Sequence, residues 1–353
     1  MDSFIENAES RHQHYLERFK TGEYNSLLPF LKRLEAQLIL RLSKSKTFKS
    51  QKRIRELLSQ IQKDAEIILA EYSGQLTLDL GEFATAEGEF TAKTITKGVS
   101  LDTTVPSPIQ LIAAANARPF NSTLLKDSLK DFPKTQAKFI RNSVAQGFAE
   151  GATNAQIIND VIGSSELNFK DGSMQITRNA ASRLVRTSIQ HTAMTAKQAV
   201  YAQNSDIIKK YAWISTLDSR TSPTCKARDG RVYIIDKGPL PPAHPNCRST
   251  TIPVFKGDSI IEDGQEQLNL EIGTRSSKGD SGGKQVSVKN NYNSWLGKQS
   301  KSFQVDALGE TKAELFRKGG LTVDKFVDRL DKPLTLDELK NTYPTAWEKA
   351  KLT

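Results

Sequence analysis

Residues 213–248 read WISTLDSRTSPTCKARDGRVYIIDKGPLPPAHPNCR, and this stretch decides the fold. Two apolar runs, YAWIST (211–216) and RVYII (231–235), flank a polar loop, and a third, TIPVF (251–255), follows a Pro-rich segment. Short β-branched and aromatic runs bounded by Gly, Pro and Asp predict strands. Both cysteines of the chain, Cys225 and Cys247, lie here, with His244, one of four histidines. Cys225, His244 and Cys247 form C-x18-H-x2-C, and thiolate and neutral imidazole are the donors zinc prefers. A structural zinc site takes four ligands, so Asp218, Asp229 or water is the candidate fourth. A buried thiol pair hydrogen-bonded to the histidine is the plainer reading, and a Cys225–Cys247 disulfide is a third. The expectation is proximity of the three side chains without an occupied tetrahedral site, and hence no cofactor. Trp213, Asp218, Arg220, Asp229, Gly230 and Arg248 are expected to make this a rigid structural loop. Its carboxylates would knit it through charge-assisted hydrogen bonds, Gly230 would supply the turn, and Arg248 would face a partner.

Outward from the loop, the N-terminal side is helical. ITRNAASRLVRTSIQHTAMTAKQAVYAQN (176–204) reads as one long helix. LLKDSLKDFPKTQAKFIRNSVAQGFAEG (124–151) reads as one or two, with Pro133 at a break and Gly147 and Gly151 as punctuation. Further upstream, Leu27, Leu31, Leu34, Leu38 and Leu42 make one apolar stripe, and Ile54, Leu57, Leu58, Ile61, Ala65 and Ile68 make a second. Such spacing predicts two amphipathic helices, and the short segment between them predicts a hairpin. Around that turn sit Arg41, Lys44, Lys46, Lys49, Lys52, Arg53 and Arg55, with no acidic residue until Glu56. The cluster is a candidate nucleic-acid contact, an acidic-partner surface, or simply a solvated helix end. LTLDLGEFATAEGEFTAKTI (76–95) alternates apolar and polar residues around Gly81 and Gly88 and predicts short strands with turns.

On the C-terminal side, residues 256–290 include GTRSSKGDSGGK and have the composition of a flexible linker. Beyond it, Trp295, Leu296, Phe303, Leu308, Leu315 and Phe316 promise a small core, and Thr335 with Glu338 has the spacing of a capping box. The fold class is therefore α+β: an N-terminal helical hairpin with a short β segment (1–104), a central helical and β domain closed by the Cys/His loop (105–255), the linker, and a small helical appendage (291–353).

Composition narrows the function. The chain has 353 residues and 50 Lys+Arg against 40 Asp+Glu, a net charge of +10. With a pI near 9.4, an anionic partner such as nucleic acid is favoured. No run approaches the ~18 apolar residues of a membrane span. MDSFIENAESRH at the start lacks the basic leader and apolar run of a secretory signal, and two cysteines suit a reducing cytosol. No G-x4-G-K-[ST] phosphate loop is present, which argues against a packaging motor.

Several submotifs in order resemble the phage Mu F-like minor head proteins, the head morphogenesis family encoded beside the portal protein in many tailed phages. They are WISTLDSRT (213–221), Cys225 followed by Asp229-Gly230 and Tyr233, and PPAHPNCR (241–248). Upstream, RLVRTSIQHTAMTAKQAVYAQN and FIRNSVAQGFAEGATNAQIINDVI resemble the family's Arg-Thr helix and the Gly-broken helix pair before it. Downstream, residues 292–327 resemble a Tyr, Trp-Leu, Leu-Gly tail often appended to these proteins, so the likeness spans roughly residues 105–330. Family members often carry further cysteines where this chain has Ser222 and Ser249, so the fuller metal pattern is degraded here.

The resemblance implies a non-enzymatic virion component, assembled in the host cytoplasm and held inside the head near the portal. It implies the portal and other head proteins as partners, with phage DNA besides, and a role in head assembly, packaging or ejection. Two enzyme readings stand as alternatives. Arg186-Thr187 is the point of a distant likeness to ADP-ribosyltransferases, but Ser188 stands where a glutamate would hold the ribose. Asp218, His244 and Cys247 would be the metal site of a DNA-directed nuclease with His244 as base.

Overall fold

A computed structural model describes residues 4–44, 50–120, 122–255, 258–262, 265–269 and 273–352. The chain divides into two compact units. One comprises Leu16–Ala84 and Ile112–Thr192, the other Met1–Tyr15, Thr85–Leu111 and Ala193–Thr353. This division cuts across the consecutive segments expected from composition, because three long helices each supply residues to both units.

In the first unit, α1 (Phe4–Lys44) and α2 (Gln51–Val99) form the antiparallel hairpin that the leucine stripe predicts. Leu27, Leu31, Leu34, Leu38 and Leu42 are buried, as are Leu57, Leu58, Ile61, Ala65 and Ile68. Each large side chain so buried contributes roughly 1.5–3 kcal/mol. Phe19 stacks on Phe83 at 4.6 Å, Phe30 meets Tyr72 at 5.5 Å, and Arg41 reaches Asp64 at 2.8 Å, which fixes the antiparallel register. Then follow α3 (Pro108–Ala117), the two-residue antiparallel strands β1 (Pro119–Phe120) and β2 (Thr123–Leu124), α4 (Leu125–Ala149), α5 (Asn154–Ile162) and α6 (Met174–Gln203). α4 runs through Pro133 without a break, and Gly147 lies inside it, packed against Ile157 of α5. Along α6 every side chain from Thr187 to Gln198 is buried, polar ones included. Partners offset that cost: Gln190 accepts from Lys20 at 2.6 Å, and the His191 Nε2 lies 2.8 Å from the Ala115 carbonyl.

The stretch 76–95 is helix, not strands. Leu76, Leu80, Phe83, Glu87, Thr91 and Ile95 are buried at helical spacing, so the local alternation is overridden by one long face. Gly81 and Gly88 were turn signals in the sequence; both lie in the helix interior. At Gly88 the reason is close approach: a Cβ there would stand 2.7 Å from Leu111 Cδ1.

In the second unit, β3 (Lys210–Ile214) is the centre of an antiparallel sheet, flanked by β5 (Val232–Ile234) and β6 (Thr250–Val254). Between β3 and β5 lie the short β4 (Leu217–Asp218) and α7 (Pro223–Arg228). These are the strands predicted for YAWIST, RVYII and TIPVF. The described part of 256–290 is also strand, contrary to the linker expectation. β7 (Ser259–Glu262) and β8 (Gln265–Leu268) make a hairpin, and β9 (Thr274–Gly279) pairs with β10 (Gly282–Ser287) on one side and with β4, in parallel, on the other. Its glycines and serines hid an inward face whose buried members are Arg275 and Ser277 rather than apolar residues. The C-terminal part carries α8 (Tyr292–Leu296), α9 (Lys301–Leu308), α10 (Glu310–Arg317), a 3-10 turn at Val323–Phe326, α11 (Leu336–Thr342) and α12 (Pro344–Lys349). Trp295 and Leu296 pack with Leu217 and Tyr292, while Leu315 packs with Leu339 and Trp347. Thr335 and Glu338 form the capping box their spacing predicts.

A candidate metal centre in a clamped loop

The site begins at Ser222, whose hydroxyl accepts from the Cys225 amide at 3.3 Å and caps α7, with Pro223 in the first turn where its missing N–H is harmless. That cap turns the Cys225 thiol inward. The second arm returns through a cis Pro241–Pro242 bond to a turn in which the Cys247 amide donates to the His244 carbonyl at 3.2 Å. The two arms bring Cys225 Sγ to 3.8 Å from Cys247 Sγ and 3.4 Å from His244 Nε2. All three donor atoms lie within 4.8 Å of one another. Trp213, Cys225 and Cys247 pack as one buried cluster with Tyr233 against it.

Hydrogen bonding splits the two thiols. Cys225 is pushed well up because it holds the proton shared with Cys247, and burial adds to this. Cys247 is held well below the usual thiol range by the bond from Cys225, with His244 adding to it against the cost of burial. His244 is raised in turn by its bond to Cys247, which outweighs burial. The cluster therefore offers three of the four ligands of a tetrahedral site, with both sulfurs buried and His244 half-buried.

The residues fit a divalent ion. Two sulfurs each about 2.3 Å from one tetrahedral zinc stand about 3.7–3.8 Å apart, which is the separation seen here. A polar cavity of about 30 Å³ adjoins the cluster, lined by Thr216, Ser222, Asn246 and Ser249 among others, and it has room for a water. Cys225, His244 and Cys247 would hold the ion, and the ion would staple the loop.

Asp218, the candidate fourth ligand, does not join them. Its carboxylate accepts from Arg248 at 2.6 and 2.9 Å and from the Thr221 hydroxyl at 3.1 Å. Burial alone would raise its pKa, but the Arg248 bond and charge outweigh that and leave it lowered. A guanidinium so placed keeps the oxygens from a cation, which removes the nuclease triad of Asp218, His244 and Cys247. Arg248 is likewise turned inward rather than presented to a partner. Arg220 stays mostly exposed, 3.7 Å from Asp218.

Asp229 does different work. It accepts from the Ser215 amide at 2.7 Å, the Tyr292 amide at 2.6 Å, and Arg275 at 2.7 and 3.0 Å. Gly230 follows at φ +85°, a conformation that favours glycine, and its amide donates to the Trp213 carbonyl at 2.9 Å. The Trp213 indole donates to Ser215 Oγ at 3.0 Å, and Ser215 Oγ donates to the Cys225 carbonyl at 2.7 Å. Sequence reasoning missed Arg275, Ser215 and Tyr292. The only signal for Arg275 was a lone arginine in a Gly/Ser-rich run.

Residues 138–252 match the family model described as phage Mu protein F like protein. This segment is Mu F-like. No curated protein and no solved structure matches the chain. The Mu F-like segment contains α6, β3, α7 and both arms of the Cys/His loop, and it ends within β6. Arg275 and Tyr292, which close the loop through Asp229, lie beyond it.

Other expected residues are placed as follows. Arg186 pairs with Glu17, and Thr187 and Ser188 are buried. In the basic turn, Arg41 is committed to Asp64 and Gln60, while Lys44, Lys52, Arg53 and Arg55 are exposed. Lys46 and Lys49 lie outside the described residues. No helix of the described residues is long and apolar enough to cross a membrane.

Proposed function

We propose that this protein is a minor head protein of a tailed bacteriophage, a non-enzymatic component of head morphogenesis that sits inside the head near the portal. The observation that carries the reading is the Mu F-like match, whose C-terminal part is the clamped loop. The geometry supports a scaffold rather than a catalyst. Asp218 and Asp229, the loop's carboxylates, are both saturated by arginines, and the Cys247 sulfur is buried. Such a loop holds shape. Its partners in this reading are the portal and other head proteins, with the exposed cations of the α1–α2 turn available to DNA phosphates during packaging or ejection. Coexpression with the portal protein of the same phage tests the partner directly. The two are expected to co-purify as a complex that survives gel filtration, and separate elution of two folded proteins contradicts the assignment.

A further inference from the structure

The second unit holds a cavity that the head-protein reading does not use. It measures about 140 Å³, and its walls include Lys226 of α7, Gln267 of β8, Asn291 and Asn293 at α8, and Lys325 of the 3-10 turn. A cavity of about 150 Å³ houses one benzene, so this space suits a ligand of roughly five or six heavy atoms. Lys226 is a buried cation without a counter-ion. Its side chain is 5% exposed, and its Nζ donates to the Ala307 carbonyl, but among the described residues no carboxylate pairs with it. Asp218 and Asp306 attract it only from further away. Lys20, Lys197 and Arg275, the other buried cations among the described residues, pair with Glu17, Glu9 and Asp229. A buried ammonium that lacks such a partner is costly, and an anion in the adjoining space is its natural complement.

Two carboxamides in the same walls add donors. Asn291 Oδ1 accepts from the Ser294 amide at 2.9 Å, and Asn293 Oδ1 accepts from the Val323 amide at 3.0 Å. In each the oxygen is spent and the Nδ2 protons remain to be used. Lys325 adds a second ammonium, shared only with Asp324 at 3.4 Å. The remaining charges of the lining are matched: Asp229 by Arg275 at 2.7 Å and Arg231 by Asp331 at 2.9 Å.

We infer that this cavity binds a phosphate group, with Lys226 and Lys325 supplying charge and Asn291 and Asn293 supplying amide donors. A phosphate carries acceptor oxygens on every side, so it can meet two ammoniums and two carboxamides at once. A carboxylate has oxygens on one side only, and a neutral sugar leaves Lys226 without a counter-charge. The space is too small for a nucleoside, so the phosphate is either a free ion or the end of a strand that stays outside. The inference does not rest on the head-protein reading and is separate in sequence from the basic turn at 41–55.

The test is isothermal titration calorimetry of the full chain with sodium phosphate, at ionic strength held constant with chloride. One phosphate per chain is expected to bind, and acetate should bind more weakly. Asn293→Asp keeps the acceptor for the Val323 amide but sets an anion where the donor was. It should weaken phosphate about 10- to 150-fold, the equivalent of the ~1.5–3 kcal/mol of a hydrogen bond to a charged group. Lys226→Met, which removes the unpaired buried charge and keeps the side chain's bulk, should weaken it as well and serves if Asn293→Asp does not fold. Circular dichroism checks both. Neither variant touches the basic turn, so phosphate held there would be unaffected by them. Competition by a short oligothymidylate bearing a 5′-phosphate, but not by the same strand without it, would make a strand end the source; competition by neither would make it the free ion. No saturable phosphate binding, binding that both variants leave unchanged, acetate binding as tight as phosphate, or equal competition by the two strands would each overturn the inference. None of these results bears on whether the protein is in the virion.

Discussion

At Asp229 four donors meet one buried carboxylate, and two of them come from a single guanidinium. Removing Arg275 therefore leaves an uncompensated buried charge. Arg275→Met should cost about 3–5 kcal/mol in urea unfolding, and Asp229→Asn in the same background should recover part of it. A loss below ~1 kcal/mol would mean the pair does not close the loop. The Cys225–His244–Cys247 cluster makes a different prediction. Adding zinc to metal-free protein should raise the thermal midpoint, because an ion that binds only the folded state stabilises it by mass action. Cys247→Ser should abolish the rise, and an unchanged midpoint in wild type would leave the cluster a thiol–imidazole contact only. Convergence of these three residues was legible in the sequence because cysteine and histidine are scarce here and their spacing is distinctive. Asp218 was misread as a ligand because spacing does not show which arginine reaches a carboxylate first. Arg275 was illegible for a related reason: its partner is 46 residues away, and nothing local marks it.

Helices and strands with one apolar face were readable, and those with mixed faces were not. The leucine stripe of α1 and the three strands around the loop follow their patterns. The second half of α2 buries Thr and Glu alongside Leu and Phe, so its helical face was masked by an alternation that suggested strands. Two glycines in α2 separate the effects. Nothing lies within 4 Å of a Cβ at Gly74, so Gly74→Ala should stabilise by up to ~1 kcal/mol through helix propensity. At Gly88 the same gain is opposed by a 2.7 Å clash with Leu111, which is fully buried and has little room to move. Overpacking costs typically ~1–3 kcal/mol, so Gly88→Ala should destabilise or at best break even. Thermal melts giving both substitutions the same favourable sign would refute the close packing of α2 against α3. β9 and β10 show the converse problem, a Gly/Ser-rich composition that signals a linker yet pairs into sheet once Arg275 has a buried partner.

For the whole molecule, a net charge of +10 and a pI near 9.4 set the expectation of an anionic partner. The α+β class was legible because long helical stripes and short strand runs occupy different stretches. The partition into units was not, because helices that serve both units leave no linker to mark a boundary. The functional reading depends on several ordered submotifs rather than on any one residue, and the Mu F-like match at 138–252 covers those from the Gly-broken helix pair to the Cys/His loop, while the 292–327 tail lies beyond it. A structural component of the head travels with the particle, whereas an enzyme that only assists assembly need not. Quantitative mass spectrometry of purified virions measures this most directly. The account predicts that the protein is present at a few copies per particle, far below the major capsid protein; its absence from virions and from assembled heads would contradict it.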